Sequence, residues 1–466
     1  MTNRSHAVAT KGEGTMQNIK IDLNARGGKI KYQNAVNNGP VAPGGGVRKT
    51  PSNFDLFKEA EISFARTHDA SFFTGYGGEF TVDVHRIFRD FNADENDPAS
   101  YIFAPTDKYI GNMIAAGVKP FYRLGASIEH GYKFGTLPPK DNLKWARICE
   151  HIIRHYNEGW ADGFHYDIEY WEIWNEPDTG YKQHNSPTWG GTMDEFFEFF
   201  ETALYYLKEK FPHLKIGGPA LCSVTDSRDI MEDMFSYLTR DGKRAPLDFF
   251  SWHMYGLDVT EFDRKIKLVR DFLDSYGYTE CESILNEWNY VLGWTGDEWT
   301  YSLKKCQELK GASFVAGAMC VSQALGLDML MYYDARPGTG MNGIFERGTY
   351  NPLKSYFDYV IFRDLLKLGT YVPTPYMDDK IYTCCATDGK NYGMMLTYFD
   401  PEDGAEDRTL SLEFKKPAGA CKVEYYLIDD THDHELVREE YFTADTFKVY
   451  MKVSNYAVYD IKITKM

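Results

Sequence analysis

The segment Trp171-Glu172-Ile173-Trp174-Asn175-Glu176-Pro177 is an apolar run of strand character that stops abruptly in a polar turn. Proline has no N–H group for a strand ladder, so the strand must end at this point. The carboxylate of Glu176 therefore follows the carboxyl end of a buried strand. Because parallel strands present these ends at one edge or mouth, the segment predicts one unit of a larger parallel sheet with an acidic group at its functional side.

Similar short apolar or β-branched runs recur on both sides of this segment and alternate with longer stretches of helical period. We count eight candidate strands, at residues 31–37, 62–68, 119–124, 170–174, 215–219, 249–255, 283–288 and 329–334. The helix candidates between them include residues 142–156, 194–210 and 303–325. Eight parallel strands can close on themselves and leave no exposed edge. The pattern predicts an α/β fold with a (β/α)8 TIM barrel.

The chain has 466 residues, which exceeds the ~250 residues of a simple barrel. The prolines of Tyr371-Val372-Pro373-Thr374-Pro375 break the helical pattern, and the later sequence alternates as short strands do. We therefore predict a barrel at residues 28–370 and a C-terminal β-sandwich at 371–466. Residues 1–27 form an N-terminal tail in which 18–23 alternate and can add a strand to the β domain.

Composition excludes several classes of protein. The net charge of −17, without a basic stripe, repels polyphosphates and makes nucleic acid an unsuitable partner. No run of ~18 apolar residues predicts a membrane span, and the N-terminus lacks the apolar core of a signal peptide. We expect a cytoplasmic protein, or an exported one if a leader has been removed. The eight cysteines have neither disulfide nor metal-site spacing, and we expect no metal.

A second apolar strand, Ile284-Leu285-Asn286-Glu287-Trp288-Asn289, also ends in a carboxylate. In the order of predicted strands, Glu176 follows the fourth and Glu287 the seventh, so both lie at the same mouth. Two carboxyl groups about 5–5.5 Å apart are the requirement for hydrolysis of a glycosidic bond with retained configuration. The pair therefore predicts an O-glycosyl hydrolase in which one of Glu176 and Glu287 protonates the leaving oxygen and the other attacks the anomeric carbon. We also expect no cofactor, because hydrolysis by two carboxyl groups does not need one.

The sixth predicted strand ends in Ser251-Trp252-His253-Met254-Tyr255. Alternation places His253 and Tyr255 on one side of this strand, next to the seventh. A tyrosine hydroxyl bonded to the nucleophile would hold it as an anion, and the histidine can bond the carboxylate or a substrate. A purely structural pair satisfied inside the barrel is the alternative.

The segments around Glu176 and Glu287 resemble the acid/base and nucleophile motifs of glycoside hydrolase clan A, and they are most similar to family 39, which contains β-xylosidases and α-L-iduronidases. Further stretches that agree with this family are Asn37-Asn38-Gly39-Pro40, Arg66-Thr67-His68 and Asn342-Gly343-Ile344-Phe345. The resemblance implies that Glu176 is the acid/base and Glu287 the nucleophile. It also implies that the residues around the reacting sugar are Arg66, His68, Asn175, His253 and Tyr255. Trp288, beside the nucleophile, is a further expected substrate contact.

The resemblance implies a glycoside or oligosaccharide as substrate, and leaves its sugar open between a neutral β-linked residue and a uronide. Arg123 and Arg336 both fall at strand ends, where each can bind a sugar carboxylate or pair with an acidic neighbour. We expect removal of a neutral xylose-like or galactose-like sugar from a chain end, since the segment at 70–109 is long enough to close one side of the mouth. An endo-acting enzyme and a non-catalytic carbohydrate-binding barrel are the alternatives, and the sequence does not indicate an oligomeric state.

Overall fold

A closed barrel of eight parallel strands forms the centre of the structure, a computed structural model that describes residues 16–44, 51–68, 81–129 and 133–466. The barrel strands are β2 to β9, and β2 pairs with β9 to complete the ring. In chain order the strands are β1 (Gln17–Asp22), β2 (Tyr32–Asn37), β3 (Phe64–Arg66), β4 (Lys119–Leu124), β5 (Tyr170–Ile173), β6 (Lys215–Leu221), β7 (Phe249–Gly256), β8 (Glu282–Tyr290), β9 (Met329–Tyr332), β10 (Thr370–Val372), β11 (Met377–Asp378), β12 (Ile381–Thr387), β13 (Tyr392–Tyr398), β14 (Arg408–Lys415), β15 (Cys421–Ile428), β16 (Asp433–Phe442), β17 (Thr446–Val453) and β18 (Val458–Lys465).

Helices follow each barrel strand, so the predicted (β/α)8 barrel is confirmed. The helices are α1 (Phe54–Ala60), α2 (Val84–Ile87), α3 (Ala104–Ala115), α4 (Asn142–Asn157), α5 (Met193–Lys210), α6 (Arg228–Leu238), α7 (Thr260–Ser275), α8 (Gly296–Lys305), α9 (Leu309–Ala324) and α10 (Lys354–Leu368). The prediction of one helix over 303–325 is wrong. Glu308 has an extended backbone and begins α9, so the chain leaves α8 before a second helix starts.

The inside of the barrel is layered. Its lower part is a small apolar cluster of inward-facing side chains, Ala35, Phe64, Phe121, Tyr170, Phe249, Ile284, Met329 and Met331. Two residues further along β3, β5 and β7, the inward positions become Arg66, Glu172 and Ser251. The apolar layer closes the end of the barrel at which the strands begin. The polar groups that follow it along the strands therefore face only the carboxyl ends.

An antiparallel β domain follows the barrel, as predicted. Its two sheets have the strand orders β1-β14-β17 and β10-β12-β13-β18-β15-β16, and their inner faces enclose a separate apolar core. The N-terminal strand β1 pairs with β14 in parallel. The limits predicted for the three parts of the chain, 1–27, 28–370 and 371–466, stay predictions.

Helix α9 lies between the barrel and the β domain, which explains why its sequence lacks a polar face. Fourteen of its sixteen residues are buried. The ammonium group of Lys310 is buried at this contact and donates to Asp403 (3.0 Å) and to the carbonyl of Pro401 (2.7 Å). Because a buried cation needs such partners, these bonds fix the β domain against the helix. None of the helices in the described ranges has the length and apolarity needed to cross a bilayer.

Candidate active site

The turn after β5 brings Asn175 and Glu176 to the mouth of the barrel. Trp174 and Glu176 both adopt left-handed backbone conformations, with φ of 76° and 47°. Backbone hydrogen bonds from Trp174 to Leu124 (2.7 Å) and from Glu176 to Ala220 (2.9 Å) hold this turn between its neighbours. Non-glycine residues pay roughly 1–2 kcal/mol for such conformations, and they concentrate at functional sites. This strained turn therefore holds Glu176 directly after the carboxyl end of β5.

A bulge in β8 determines which side chains of that strand face the interior. Trp252 of β7 pairs with Leu285, whereas the next residue, His253, pairs with Glu287. Asn286 is therefore an extra residue, and both it and Glu287 project into the barrel where simple alternation allows only one of them. Trp288 then points outward.

Because of this bulge, Trp288 packs on the outside of the barrel, and its predicted contact with substrate stays a prediction. Its ring is fully buried between the barrel and the surrounding helices. It packs edge-on against Phe262 of α7 and Tyr332 of β9, each with ring centroids 5.3 Å apart. Alternation without the bulge would have put Trp288 inside the barrel together with Ile284 and Asn286.

Glu287 lies among several of the residues predicted to surround it. The Tyr255 hydroxyl donates to its Oε1 at 2.5 Å, and Arg66 Nη1 donates to its Oε2 at 3.3 Å. His68 Nε2 lies 3.5 Å from the same oxygen. Two donors, one of them a permanent cation, thus face this carboxyl group.

His253 connects the two glutamates. Its Nδ1 is 2.8 Å from Oε1 of Glu176 and 3.6 Å from Oε2 of Glu287. A ring nitrogen of His253 and one carboxylate oxygen from each glutamate lie within 4.8 Å of one another. Thr179 donates a further hydrogen bond to Glu176 at 3.0 Å. The structure therefore brings the two sequence-predicted carboxyl groups together at one end of the barrel.

Arg66 and Asn175 form the polar floor of this site. Arg66 Nη2 donates to Oδ1 of Asn175 at 2.6 Å, which fixes the orientation of the amide. The Asn175 Nδ2 group is buried and, among the described residues, has no hydrogen-bond acceptor. The same holds for Nε2 of His253. Both atoms therefore keep hydrogen-bonding capacity that the described residues do not use.

Glu172 is a buried residue of the site that the sequence analysis did not identify. Its carboxylate accepts hydrogen bonds from Arg66 Nε (2.7 Å), Ser251 Oγ (2.6 Å) and Asn286 Nδ2 (2.5 Å). Asn37 adds an acceptor for Arg66 Nη1 at 3.2 Å. Arg66 thus bridges Glu172 below and Glu287 above. The available signal was a charged residue inside the apolar run of β5, at an inward position.

Burial and mutual repulsion set the ionisation of the site. Burial raises the pKa of Glu287 to about 7, and the nearby Glu176 adds to this, while His253, Arg66 and the Tyr255 hydrogen bond oppose it. Burial lowers the pKa of His253 to about 4, so this histidine is neutral at pH 7. Glu287 is therefore close to its pKa near neutrality, and Arg66 favours its ionised form.

The two strand-end arginines have acidic partners. Arg123 is fully buried and donates from Nη2 to Asp83 at 2.8 Å and to Ser127 at 3.2 Å. Arg336 Nη2 donates to Asp334 at 3.1 Å. A role for either arginine in binding substrate stays a prediction. The segment predicted to close the mouth, 70–109, falls partly on residues 69–80, which lie outside the described residues.

Within the described ranges, one group of side chains has the composition and spacing to hold a metal ion, Glu176 with His253 and Glu287. This group consists of the two glutamates and the histidine that connects them. The arrangement suits proton transfer by a carboxyl group to a bound molecule as well as it suits the binding of a cation.

Sequence comparison relates the barrel to a known family. The profile of Glycosyl hydrolases family 39 matches residues 60–286, just under half of the chain. Over this stretch the chain is similar to glycoside hydrolase family 39. The matched stretch includes Arg66, Glu176 and His253 and ends one residue before Glu287.

Two β-xylosidases are similar to part of the chain. One, from Caldicellulosiruptor saccharolyticus, is 28% identical over 195 residues, which are 40% of this chain and 36% of that protein. The other, from Geobacillus stearothermophilus, is 28% identical over 182 residues, or 36% and 33% of the two chains. The chain therefore spans about a third of the length of the curated relatives it matches.

Solved structures extend the similarity of fold to the β domain. A glucosidase from Croceicoccus marinus superposes with a TM-score of 0.76 at 21% identity, over 97% of this chain and 99% of that one. The GH39 enzyme from Xanthomonas axonopodis pv. citri has a TM-score of 0.67 at 14% identity, over 98% of each chain. At these identities the structures share the two-part architecture, and nothing follows about substrate.

Proposed function

We propose that this chain is a retaining O-glycosyl hydrolase that acts by double displacement through Glu176 and Glu287. The observation that carries the proposal is the convergence of both carboxyl groups with His253 within 4.8 Å at the barrel mouth. Inverting enzymes need a wider gap, ≈ 6.5–9.5 Å, to admit a water between their carboxyl groups. The short separation favours direct attack on the sugar by one of the two.

The hydrogen bonds support one assignment of the two roles. Glu287 receives Arg66 and Tyr255, which stabilise the anion that a nucleophile must be. Glu176 contacts His253 and Thr179, which are both neutral at pH 7, so it is the better group to carry the proton that the leaving oxygen receives. Glu176 is therefore the acid/base and Glu287 the nucleophile.

The reaction then proceeds in two steps. Glu176 donates its proton to the departing oxygen while Glu287 attacks the anomeric carbon and forms a glycosyl ester. The ester carries no charge, so ionised Glu176 is no longer repelled and can take a proton from a water molecule. That water breaks the ester and releases the sugar with its original configuration.

Buried donors beside the carboxyl pair fit a sugar hydroxyl. Arg66 donates to Oδ1 of Asn175, so the Nδ2 group keeps its donor capacity for a hydroxyl next to the reacting carbon. An unpaired buried N–H costs about 1–3 kcal/mol, which a hydroxyl acceptor would recover on binding. His253 Nε2 offers a second such position.

The proposed substrate is a neutral, β-linked xylose-like or galactose-like sugar at the end of a short glycan. The relatives named as β-xylosidases support a pentose. Arg123 and Arg336 already pair with Asp83 and Asp334, which makes a clamp for a sugar carboxylate less suitable. The net charge of −17 likewise disfavours anionic polymers.

Hydrolysis of 4-nitrophenyl β-xyloside, β-galactoside and β-glucuronide, with product analysis on a short xylan oligomer, tests this function. We expect turnover of a neutral glycoside and release of single sugars. Cleavage of the glucuronide alone would make the enzyme uronide-specific, and internal cutting without monosaccharide release would make it endo-acting. Carbohydrate binding without turnover of any substrate would contradict the hydrolase proposal itself.

A further inference from the structure

Trp294 is the most exposed of the nine tryptophans, with 58% of its surface open to solvent. It lies on the loop between β8 and α8, seven residues after Glu287. Exposing an indole forfeits the large stabilisation that its burial brings, and tryptophan is the residue type best suited to stacking on a ring. Its position therefore calls for a ligand.

Two aromatic neighbours hold the Trp294 ring in place. It stacks on Trp299 of α8 with ring centroids 5.4 Å apart and an interplanar angle of 26°. It also meets the ring of Tyr255 edge-on, with centroids 4.9 Å apart at 76°. A surface side chain fixed by two rings has little rotamer entropy left to lose when a ligand binds.

Trp294 is directly linked to the reacting centre. Tyr255, which it contacts, donates its hydroxyl hydrogen bond to Glu287 at 2.5 Å. The ring of Tyr255 thus connects the indole to the carboxyl group of the proposed nucleophile. The groups that surround the reacting sugar are buried and polar, whereas Trp294 is exposed and apolar, so it lies outside that pocket.

We infer that Trp294 is the platform on which the leaving-group sugar stacks. This inference rests on the proposed function. If the enzyme removes single sugars from a chain end, the only ring beyond the reacting sugar belongs to the departing part of the substrate. The C–H face of a pyranose is apolar and packs on an indole, while its hydroxyls stay in water.

The test compares substrates with and without a ring to stack. The disaccharide of the accepted sugar has a ring in its leaving group, and the corresponding glycosyl fluoride has none. For Trp294→Ala we expect kcat/KM for the disaccharide to fall about tenfold more than for the fluoride, and Trp294→Phe to restore most of the difference. Tyr441→Ala, which truncates an exposed aromatic in the β domain, is the matched control and leaves the ratio unchanged.

Equal losses on both substrates would overturn the inference, because Trp294 would then act only by supporting Tyr255. A change of oligomeric state on size-exclusion chromatography with light scattering, without a selective loss, would also overturn it in favour of a contact with a second copy. If the wild type hydrolyses nothing, binding of xylobiose to Glu287→Gln with and without Trp294→Ala decides separately. Weaker binding without Trp294 supports the platform, and equal or absent binding contradicts it.

Discussion

Glu172 and Glu287 are both buried carboxyl groups inside one barrel, and both bond to Arg66, yet their surroundings differ. Glu172 accepts three short hydrogen bonds, from Arg66, Ser251 and Asn286, deep in the barrel. Glu287 lies at the mouth, where Glu176 is a second carboxyl group within a few ångströms. Hydrogen-bond donors around a buried carboxylate stabilise its negative charge. A second carboxyl group beside it destabilises that charge by repulsion.

The difference shows how the fold produces reactivity from a common side chain. Burial and repulsion by Glu176 raise the pKa of Glu287 to about 7, and Arg66 and Tyr255 oppose that shift. Arg66 donates hydrogen bonds both to Glu172, deep in the barrel, and to Glu287, at the mouth. Its positive charge is therefore shared between the two glutamates and neutralises neither fully. Substitutions at the mouth and substitutions deep in the barrel should therefore have different effects on catalysis and on stability.

Glu176→Ala should reduce hydrolysis of substrates with poor leaving groups by on the order of 10²–10⁴-fold, and much less for activated aryl glycosides, because only the former need a proton from the acid. Added azide should restore turnover by attacking the glycosyl ester through the space left by the side chain. Steady-state kinetics across a series of leaving groups measures both effects. Glu176→Gln is the control, since its carboxamide fills that space and should prevent the rescue. An equal loss for all leaving groups would remove Glu176 from the acid/base role.

Glu172→Gln should lower kcat by up to roughly 10²-fold, because Arg66 loses the partner that holds it beneath Glu287 and Asn175. Removing the negative charge also makes Glu287 easier to ionise, so the acidic limb of the pH profile should move to lower pH. Glu169→Gln, the same substitution at an exposed position before β5, is the matched control. A lower melting temperature with an unmoved pH profile would mean that Glu172 serves stability alone.

Glu287→Gln should raise the melting temperature by a few degrees at pH 8 and have little effect at pH 4. The folded-state pKa of Glu287 is raised from 4.5 to about 7, so its unfavourable contribution is absent below pH 4.5 and complete above pH 7. The difference between the two proteins should therefore grow across this window. His253, whose pKa is lowered, destabilises the fold at acidic pH in both proteins. Thermal unfolding followed between pH 4 and pH 8 measures the trend, and a difference independent of pH would contradict it.

Much of this architecture follows from local pattern. All eight barrel strands were predictable because each is a short apolar run separated by a helical stretch, and burial on both faces leaves that signature in the sequence. The two glutamates were predictable because they follow strand ends. Their roles, and those of Arg66, His68, Asn175, His253 and Tyr255, stay predictions that the geometry supports.

The features that the sequence analysis missed depend on strand register and on contacts between distant segments, and a local sequence pattern contains neither. The bulge at Asn286 reversed the expected side for Trp288, and nothing in an otherwise regular apolar strand marks an extra residue. Glu172 was missed because its partners come from three other strands, β3, β7 and β8. Contacts between residues 79 to 114 positions apart in the chain arise only when the barrel closes.

Trapping of the glycosyl-enzyme tests the central claim most directly. A 2-deoxy-2-fluoro glycoside of the accepted sugar, with a good leaving group, should inactivate the enzyme and add one glycosyl unit to its mass, because fluorine slows hydrolysis of the ester more than its formation. Peptide mapping by mass spectrometry should place that unit on Glu287, and Glu287→Gln should remain unlabelled. A label on Glu176, or on any peptide that lacks Glu287, would contradict the assignment of the nucleophile.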